Sequence, residues 1–307
     1  NRREVLAEPA SDGTIEYQFY EGRRRVDFDD NAREWLADVL LEVIRSTGIG
    51  AEGRVKRFYT KGGLDGVLNE VDDIRSDFVS SIYLSELLGM GGLSDAELVK
   101  VAGYVPRELD SDHYITTILK RMLQEDLDAE SVSKVLQAAA NMDSDHYKTD
   151  VLKELLDRRD LDNKTVDPII QAAANIDSDH YATIILKDAL DRPNLSDVAF
   201  NNLMNSVAKV DSDHYVTETF RSMLRNRDVS DKVVEAIMNR IEYMDSDHYR
   251  TLILNDLFEN QKISDKYFES LLRTVTDMDS DHYASQVLTK LLRNKDISDE
   301  TYSKVLA

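Results

Sequence analysis

One pentapeptide, Asp-Ser-Asp-His-Tyr, occurs six times in this chain of 307 residues. A fixed period is the signature of a repeat protein, whose units are too small to bury their apolar faces alone and therefore stack on one another. The pentad therefore constrains the fold more than any other feature of the sequence. Its copies begin at Asp110, Asp143, Asp177, Asp211, Asp245 and Asp279, at intervals of 33, 34, 34, 34 and 34 residues.

Each repeat has the pattern of two helices. The residues after the pentad are apolar at a spacing of three and four, as in Tyr181, Ile184 and Ile185, which is typical of an amphipathic helix. Ser111 or Asp110 can cap such a helix, and Asp112 would lie in its first turn. A short polar link follows, and then an apolar residue and a serine begin the second helix. These pairs are Leu195-Ser196, Val229-Ser230, Ile263-Ser264 and Ile297-Ser298.

This alternation predicts an all-α fold, an α-solenoid of stacked two-helix repeats of about 34 residues each. Residues 106–307 hold six regular repeats, of which the last is truncated, and this region contains no glycine. Pro168 lies within the second helix of its repeat, so we expect it to shift the start of that helix or to kink it.

The region before the regular repeats is expected to close the open end of the solenoid, because terminal repeats are usually atypical. Residues 31–105 are predicted to form this helical cap, with irregular helices near 31–45, 51–59 and 64–74. The cap contains one degenerate repeat, which begins at Ser76-Asp77-Phe78, so that a phenylalanine takes the position of the histidine.

The first thirty residues have a different pattern. Ile15, Tyr17 and Phe19 alternate with polar residues, Glu21-Gly22 is a turn signal, and Val26 resumes the alternation. Residues 1–30 are therefore predicted to form a β-hairpin, or to be the remnant of a preceding β-rich domain.

Composition and motifs exclude several functions. A net charge of -21 disfavours nucleic acid as a partner, and no apolar run is long enough for a membrane span. The absence of cysteine excludes disulfides and thiolate metal sites. Serine, aspartate and histidine neighbour one another in each pentad, but consecutive residues of a helical turn diverge and cannot form a catalytic relay. We therefore expect no enzyme, and no cofactor.

The pentad is invariant while the apolar positions around it vary. Packing tolerates swaps among apolar residues, so a more directional interaction must preserve these five residues. We predict a ladder of hydrogen bonds between repeats, in which Asp and Ser satisfy the backbone of a tight joint and histidine donates to the neighbouring repeat. The tyrosines of this structural ladder are expected to be mostly buried: Tyr114, Tyr147, Tyr181, Tyr215, Tyr249 and Tyr283.

A second interpretation of the pentad is a ladder of divalent-cation sites. Carboxylate and imidazole are common metal ligands, although the spacing lacks the features of a calcium loop. On this interpretation the protein is a cation-binding rod, and the histidines lie on a helix side shared with Lys120, Lys153, Lys187, Arg221 and Asn255. The candidate ligands are Asp112, His113, Asp145, His146, Asp179, His180, Asp213, His214, Asp247, His248, Asp281 and His282.

The charge of the repeats predicts the kind of partner. From residue 106 onward there are 25 basic against 39 acidic residues, a net charge of -14, and the pentads supply twelve of the acids. If the pentads are exposed, they form an acidic stripe that would bind basic partners in a salt-sensitive manner. The sequence therefore favours a non-enzymatic scaffold or sensor domain that binds a protein or peptide.

The repeats resemble known families to different degrees. The length is similar to that of tetratricopeptide repeats, but the Trp, Gly, Ala and Pro pattern of that family is missing, and hairpin stacking of the HEAT type is nearer. Ser111-Asp112-His113-Tyr114 and Ser76-Asp77-Phe78 more closely resemble bacterial repeats in which Ser-Asp-Tyr opens each first helix. Some of these are similar to extensions of membrane-anchored sensor or M56-type peptidase proteins. The resemblance implies a bacterial interaction domain, in the cell envelope or periplasm, and transfers no catalytic residue.

Overall fold

The chain is an all-α solenoid of two-helix repeats, preceded by a small antiparallel sheet. We analysed a computed structural model, which describes residues 2–158, 163–192, 195–226, 229–261, 267–293 and 303. The chain divides into two compact units, Asn1–Ser131 and Val132–Ala307. Within the described residues, none of the helices has the length and apolar character needed to span a membrane.

The N-terminal sheet has three antiparallel strands in the order β1, β2, β3. They are β1 (Arg3–Pro9), β2 (Ile15–Glu21) and β3 (Arg24–Val26). The predicted hairpin is confirmed as β2 and β3, with Gly22 at a φ of 65° in the turn, while β1 is an additional strand. Phe19 is buried and packs on Trp35, with ring centroids 5.5 Å apart.

Four helices follow the sheet: α1 (Asp30–Thr47), α2 (Ala51–Asp72), α3 (Asp77–Gly89) and α4 (Asp95–Glu108). α2 is broken at Gly63, whose φ of 61° and ψ of -154° are not helical, as the two predicted segments implied. Gly66 then lies so close to Phe58 that a Cβ atom on it would be 2.7 Å from the Phe58 carbonyl oxygen. Helices α3 and α4 are the predicted degenerate repeat, and Ser94 and Glu97 form a capping box at the start of α4.

A buried carboxylate holds this first unit together. Glu70 on α2 accepts hydrogen bonds from Arg45 on α1, with Nη2 to Oε2 at 2.8 Å, and from Arg54 at the start of α2, with Nη2 to Oε1 at 2.5 Å. Arg54 also donates to the hydroxyl of Tyr83 on α3 at 2.8 Å. The network therefore connects three helices and both halves of the broken α2.

The regular repeats alternate first and second helices, as predicted. The first helices are α5 (Asp112–Met122), α7 (Asp145–Asp157), α9 (Asp179–Leu190), α11 (Asp213–Asn226), α13 (Asp247–Asn260) and α15 (Asp281–Leu292). The second helices are α6 (Ala129–Ala140), α8 (Asn163–Ala173), α10 (Asp197–Val207), α12 (Asp231–Ile241) and α14 (Phe268–Thr276). Pro168 lies inside α8. The predicted starts Ile263-Ser264 and Ile297-Ser298, and with them the last second helix, lie outside the described residues.

Like helices stack on like helices. In the second unit α7 packs on α9, α9 on α11, α11 on α13 and α13 on α15, while α8 packs on α10 and α12 on α14. Apolar residues at the helical spacing fill the space between the two layers, and Ile185 and Leu186 are completely buried. The division between the two compact units falls within α6.

Candidate functional site

The pentads lie at the start of every first helix, and their five residues are not equally exposed. Each helix begins at the third pentad residue, with the serine as its N-cap in α5, α7, α9, α13 and α15. The first aspartate and the histidine are exposed in all six copies, whereas the serine and the tyrosine are half-buried. The third residue is half-buried in five copies and exposed at Asp281.

The third pentad residue forms the joint between repeats. The Asp179 carboxylate accepts the backbone N–H of Ser212 in the next repeat at 2.8 Å. The same bond recurs from Asp145 to Ser178, from Asp213 to Ser246 and from Asp247 to Ser280, each at 2.9 Å, and in the first unit from Asp77 to Ser111 at 2.7 Å. A charged acceptor on a backbone N–H is a strong hydrogen bond. The structure therefore shows a ladder of hydrogen bonds between repeats.

The roles of serine and histidine differ from the expectation. The side chains of Ser178, Ser246 and Ser280 make no capping hydrogen bond to their helices. Each of these serines instead donates its backbone N–H to the carboxylate of the preceding repeat. In these three joints the donor to the carboxylate is thus the backbone N–H of the serine, while the histidines are exposed.

The histidines and tyrosines of the second unit form a continuous row of rings, here called the His–Tyr row. The ring of His180 contacts Tyr181 of its own pentad, with centroids 5.1 Å apart, and Tyr215 of the next pentad at 5.6 Å. His146, His214 and His248 make the same two contacts at 5.0 to 5.8 Å. The tyrosines are half-buried and not mostly buried as expected, because the histidine rings that cover part of each tyrosine are themselves exposed at the surface.

The degenerate repeat shows what the row requires. Phe78 stands in the histidine position and packs on Tyr114, with ring centroids 6.2 Å apart and 52% of its surface exposed. A plain aromatic ring can therefore contact the tyrosine of the next repeat without an imidazole. The contact with the next tyrosine by itself therefore does not explain why all six regular pentads contain a histidine.

Sequence reasoning missed a further repeated residue two positions after each tyrosine. The residue is a threonine in five copies: Thr116, Thr149, Thr183, Thr217 and Thr251. All five are buried, and the hydroxyls of the last four have no hydrogen-bond partner among the described residues. The signal that could have revealed them is the extension of the motif to Asp-Ser-Asp-His-Tyr-x-Thr.

The candidate metal ligands do not converge in the described part of the chain. No three His, Asp or Glu side chains there lie close enough together to hold a metal ion. The candidates divide in two groups: aspartates such as Asp145 and Asp179 accept backbone N–H groups, and histidines such as His146 and His180 pack on tyrosines. The geometry gives the cation-binding rod no support, and that interpretation stays a prediction.

A row of ion pairs crosses between successive first helices in the second unit. The Nζ of Lys153 lies 3.3 Å from Asp188, that of Lys187 lies 3.9 Å from Glu218, and the Nε of Arg221 lies 2.6 Å from Asp256. Each base lies seven residues after a pentad histidine. Each acid lies four or eight residues after the histidine of the next pentad. The polar residues on the histidine side of these helices thus connect neighbouring repeats.

Neither a protein-family model nor a curated protein matches the chain. Among solved structures, a chain described as "Computational Design of Self-Assembling Cyclic Protein Homooligomers" is similar over 89% of this chain and 98% of its own. The identity is 8% and the TM-score is 0.17, so this likeness carries no argument about fold or function.

Proposed function

We propose that this protein is a non-enzymatic interaction scaffold or sensor domain that binds a basic segment of a partner protein. The binding surface is the pentad edge, defined as the first aspartate and the histidine of each pentad in the second unit. It comprises Asp143, His146, Asp177, His180, Asp211, His214, Asp245, His248, Asp279 and His282.

The observation that carries the proposal is that these ten residues are all exposed, although the pentad is invariant. The half-buried members of the pentad are accounted for by the joint and the His–Tyr row. Phe78 shows that the row does not need an imidazole. Exposed polar groups that recur without a structural requirement are the expected surface for a ligand.

The partner follows from charge and spacing. Each step of the edge presents the exposed carboxylate of a first pentad aspartate, and steps recur every ~10 Å, the packing distance of helices. A partner with regularly spaced Lys or Arg side chains would match this row and would be steered to it by the field of the acids. Aromatic rings beside the carboxylates also favour cations.

The experiment compares two variants of equal charge. Asp177→Asn with Asp211→Asn removes two carboxylates from the pentad edge, and Glu235→Gln with Glu269→Gln removes two exposed carboxylates from second helices. Binding of a fluorescein-labelled decalysine peptide is measured by anisotropy at low and high salt. We expect the first variant to weaken binding about fivefold and the second to leave it nearly unchanged, because only the first removes contacts.

A third variant isolates the imidazoles. His180→Phe with His214→Phe copies the natural Phe78 arrangement, so the His–Tyr row and the thermal stability should be retained. If the decalysine peptide binds all variants equally, or if both charge variants weaken it to the same extent, the pentad edge is not the binding surface.

A further inference from the structure

The N-terminal sheet has two edges of different character. The edge strand β3 has three residues, Arg24–Val26, and it follows Arg23, so this edge is short and basic. Short strands and charges of one sign prevent an edge from pairing with another chain. The opposite edge strand, β1, has seven residues and carries charges of both signs. In the described part of the chain no further strand pairs with β1, so its outer edge is open.

The backbone groups on the open edge of β1 follow from its pairing with β2. The Arg2 carbonyl accepts the N–H of Gly22 at 2.7 Å, and the Ala10 N–H donates to the Thr14 carbonyl at 2.8 Å. Even-numbered residues therefore face β2, in the register of the two strands. Because the hydrogen-bonding direction alternates along an antiparallel strand, the odd-numbered residues face outward. They are Arg3, Val5 and Ala7, followed by Pro9, which has no N–H.

Two copies of β1 can pair through these edges if outward residues lie opposite outward residues. When the antiparallel pair is centred on Val5, Val5 lies opposite Val5 of the second copy and Arg3 lies opposite Ala7. The outward N–H and C=O groups of all three residues are then paired. A pair centred on Leu6 instead places Arg3 opposite Pro9, which has no N–H to donate. The backbone therefore favours the register centred on Val5.

The charges of β1 favour the same register. It places Arg2 opposite Glu8 of the second copy, at both ends of the strand pair, in the closer type of pair with Cα atoms ~4.5 Å apart. Glu8 is exposed and makes no ion pair among the described residues, and Arg2 contacts Glu4 of its own strand at 3.1 Å. A pair centred on Leu6 would place Glu4 opposite Glu8, where like charges repel each other.

The two faces of the sheet are compatible with this pairing. Leu6 is 42% exposed and lies on the face of β1 opposite to Val5. In the register centred on Val5, the Leu6 side chains of the two copies are diagonal neighbours and within reach of each other. The other face stays covered in each copy, because Val5 lies opposite Phe19, which packs on Trp35 of α1.

We propose that the first unit binds a second copy of this chain through β1, in an antiparallel pair centred on Val5 that joins the two sheets into one. Pairing of single strands buries a small area, so this dimer is reversible and depends on protein concentration. The proposal uses residues of the first unit alone and does not depend on the function proposed for the pentad edge.

Exchange of charges tests the register. Glu8→Arg and Arg2→Glu each place like charges opposite one another in a homodimer, and each should weaken dimerisation about tenfold. When the two variants are mixed in equal amounts, their charges are opposite again, so a heterodimer should form about as tightly as the parent dimer. Sedimentation velocity of the untagged 307-residue chain over a series of concentrations measures the association. The control is Glu235→Arg, which makes the charge change of Glu8→Arg at an exposed position of α12 and should leave dimerisation unchanged.

Val5→Pro tests the backbone independently of charge. It removes an outward N–H at the centre of the strand pair and keeps the bonds to β2, which even-numbered residues make. We expect dimerisation to weaken by more than about tenfold, because both central hydrogen bonds are lost. Circular-dichroism melts check that all variants are folded. A parent chain that stays monomeric at every concentration, a dimer that Val5→Pro and both charge variants leave unchanged, or mixed charge variants that fail to associate would each overturn the proposal.

Discussion

At the scale of single residues, the pentad assigns different tasks to chemically similar neighbours. In one copy Asp177 is exposed, while two positions later Asp179 accepts the N–H of Ser212 across the joint. Tyr181 is shared between two histidines, and His180 reaches solvent. Five invariant residues thus combine a structural joint with an exposed surface, and equal invariance does not mean equal function.

The buried threonines lead to a prediction at this scale. Thr217 and Thr219 on α11 are both 1% exposed, but only the hydroxyl of Thr219 has a partner, the carbonyl oxygen of Tyr215 at 2.9 Å. Thr217→Val replaces an unpaired hydroxyl by a methyl group of the same shape. We expect it to raise the free energy of unfolding by about 1 kcal/mol, because the desolvation penalty of the hydroxyl is removed.

Thr219→Val is the matched control for this change. It removes a hydroxyl that donates to a carbonyl, and it is expected to lower the free energy of unfolding by about 1 kcal/mol. Midpoints of urea unfolding compare the two variants. A loss of stability in Thr217→Val would mean that its hydroxyl is hydrogen-bonded in solution.

At the scale of helices, the first unit depends on a buried ion network and not on a repeated joint. Burial alone would raise the pKa of Glu70, but the hydrogen bonds from Arg45 and Arg54 outweigh it, so its pKa lies below the ordinary value of 4.5. Arg54 and Glu70 lie on opposite sides of the break at Gly63. The network therefore fixes how the two halves of α2 pack together.

This lowered pKa predicts an acid sensitivity of the first unit. A carboxylate with a lowered pKa in the folded state contributes stability above its unfolded pKa, and that contribution is lost as the pH falls through the folded value. Glu70→Gln should therefore destabilise the protein by about 2 kcal/mol at pH 7, because it leaves the half-buried guanidinium of Arg54 without its anion, whereas Arg45 keeps its ion pair with Asp73. The difference from the parent should shrink progressively below pH 4.5, the ordinary pKa of this group.

Denaturant unfolding at neutral and acidic pH, followed by circular dichroism, measures this effect. Glu42→Gln is the control, because Glu42 is exposed on α1. A destabilisation by Glu70→Gln that is the same at every pH would show that the charge of Glu70 is not what stabilises the unit.

At the scale of the whole molecule, successive repeats of the second unit contact each other through one recurring joint. Removing residues 177–210 deletes one complete period of the repeat. In the shortened chain Ser212 takes the place of Ser178, so its backbone N–H can donate to the Asp145 carboxylate as in the native joint. We expect this shortened chain to fold with unchanged helicity per residue and a lower unfolding midpoint, because stability in repeat arrays is approximately a sum of repeat and interface terms.

A deletion of half a period is the control. Removing residues 177–193 takes out one first helix and places a second helix against the wrong layer. This chain should lose its cooperative transition in denaturant, as judged by circular dichroism. If both deletions behave alike, the 34-residue period is not the unit of folding.

The sequence by itself determined the helical repeats, their period and the degenerate copy, because an interval of 34 residues and an apolar spacing of three and four specify stacked helical hairpins. It also placed the β2–β3 hairpin, although the strand Arg3–Pro9 lacked a clear alternation. Only the tertiary structure decided which pentad residues are buried, since Asp179 and Ser212 are separated by 33 residues in the chain. The exposure of the histidines and the burial of the unpaired threonine hydroxyls depend on how one helix faces the next, and the periodicity of a single helix does not contain that information.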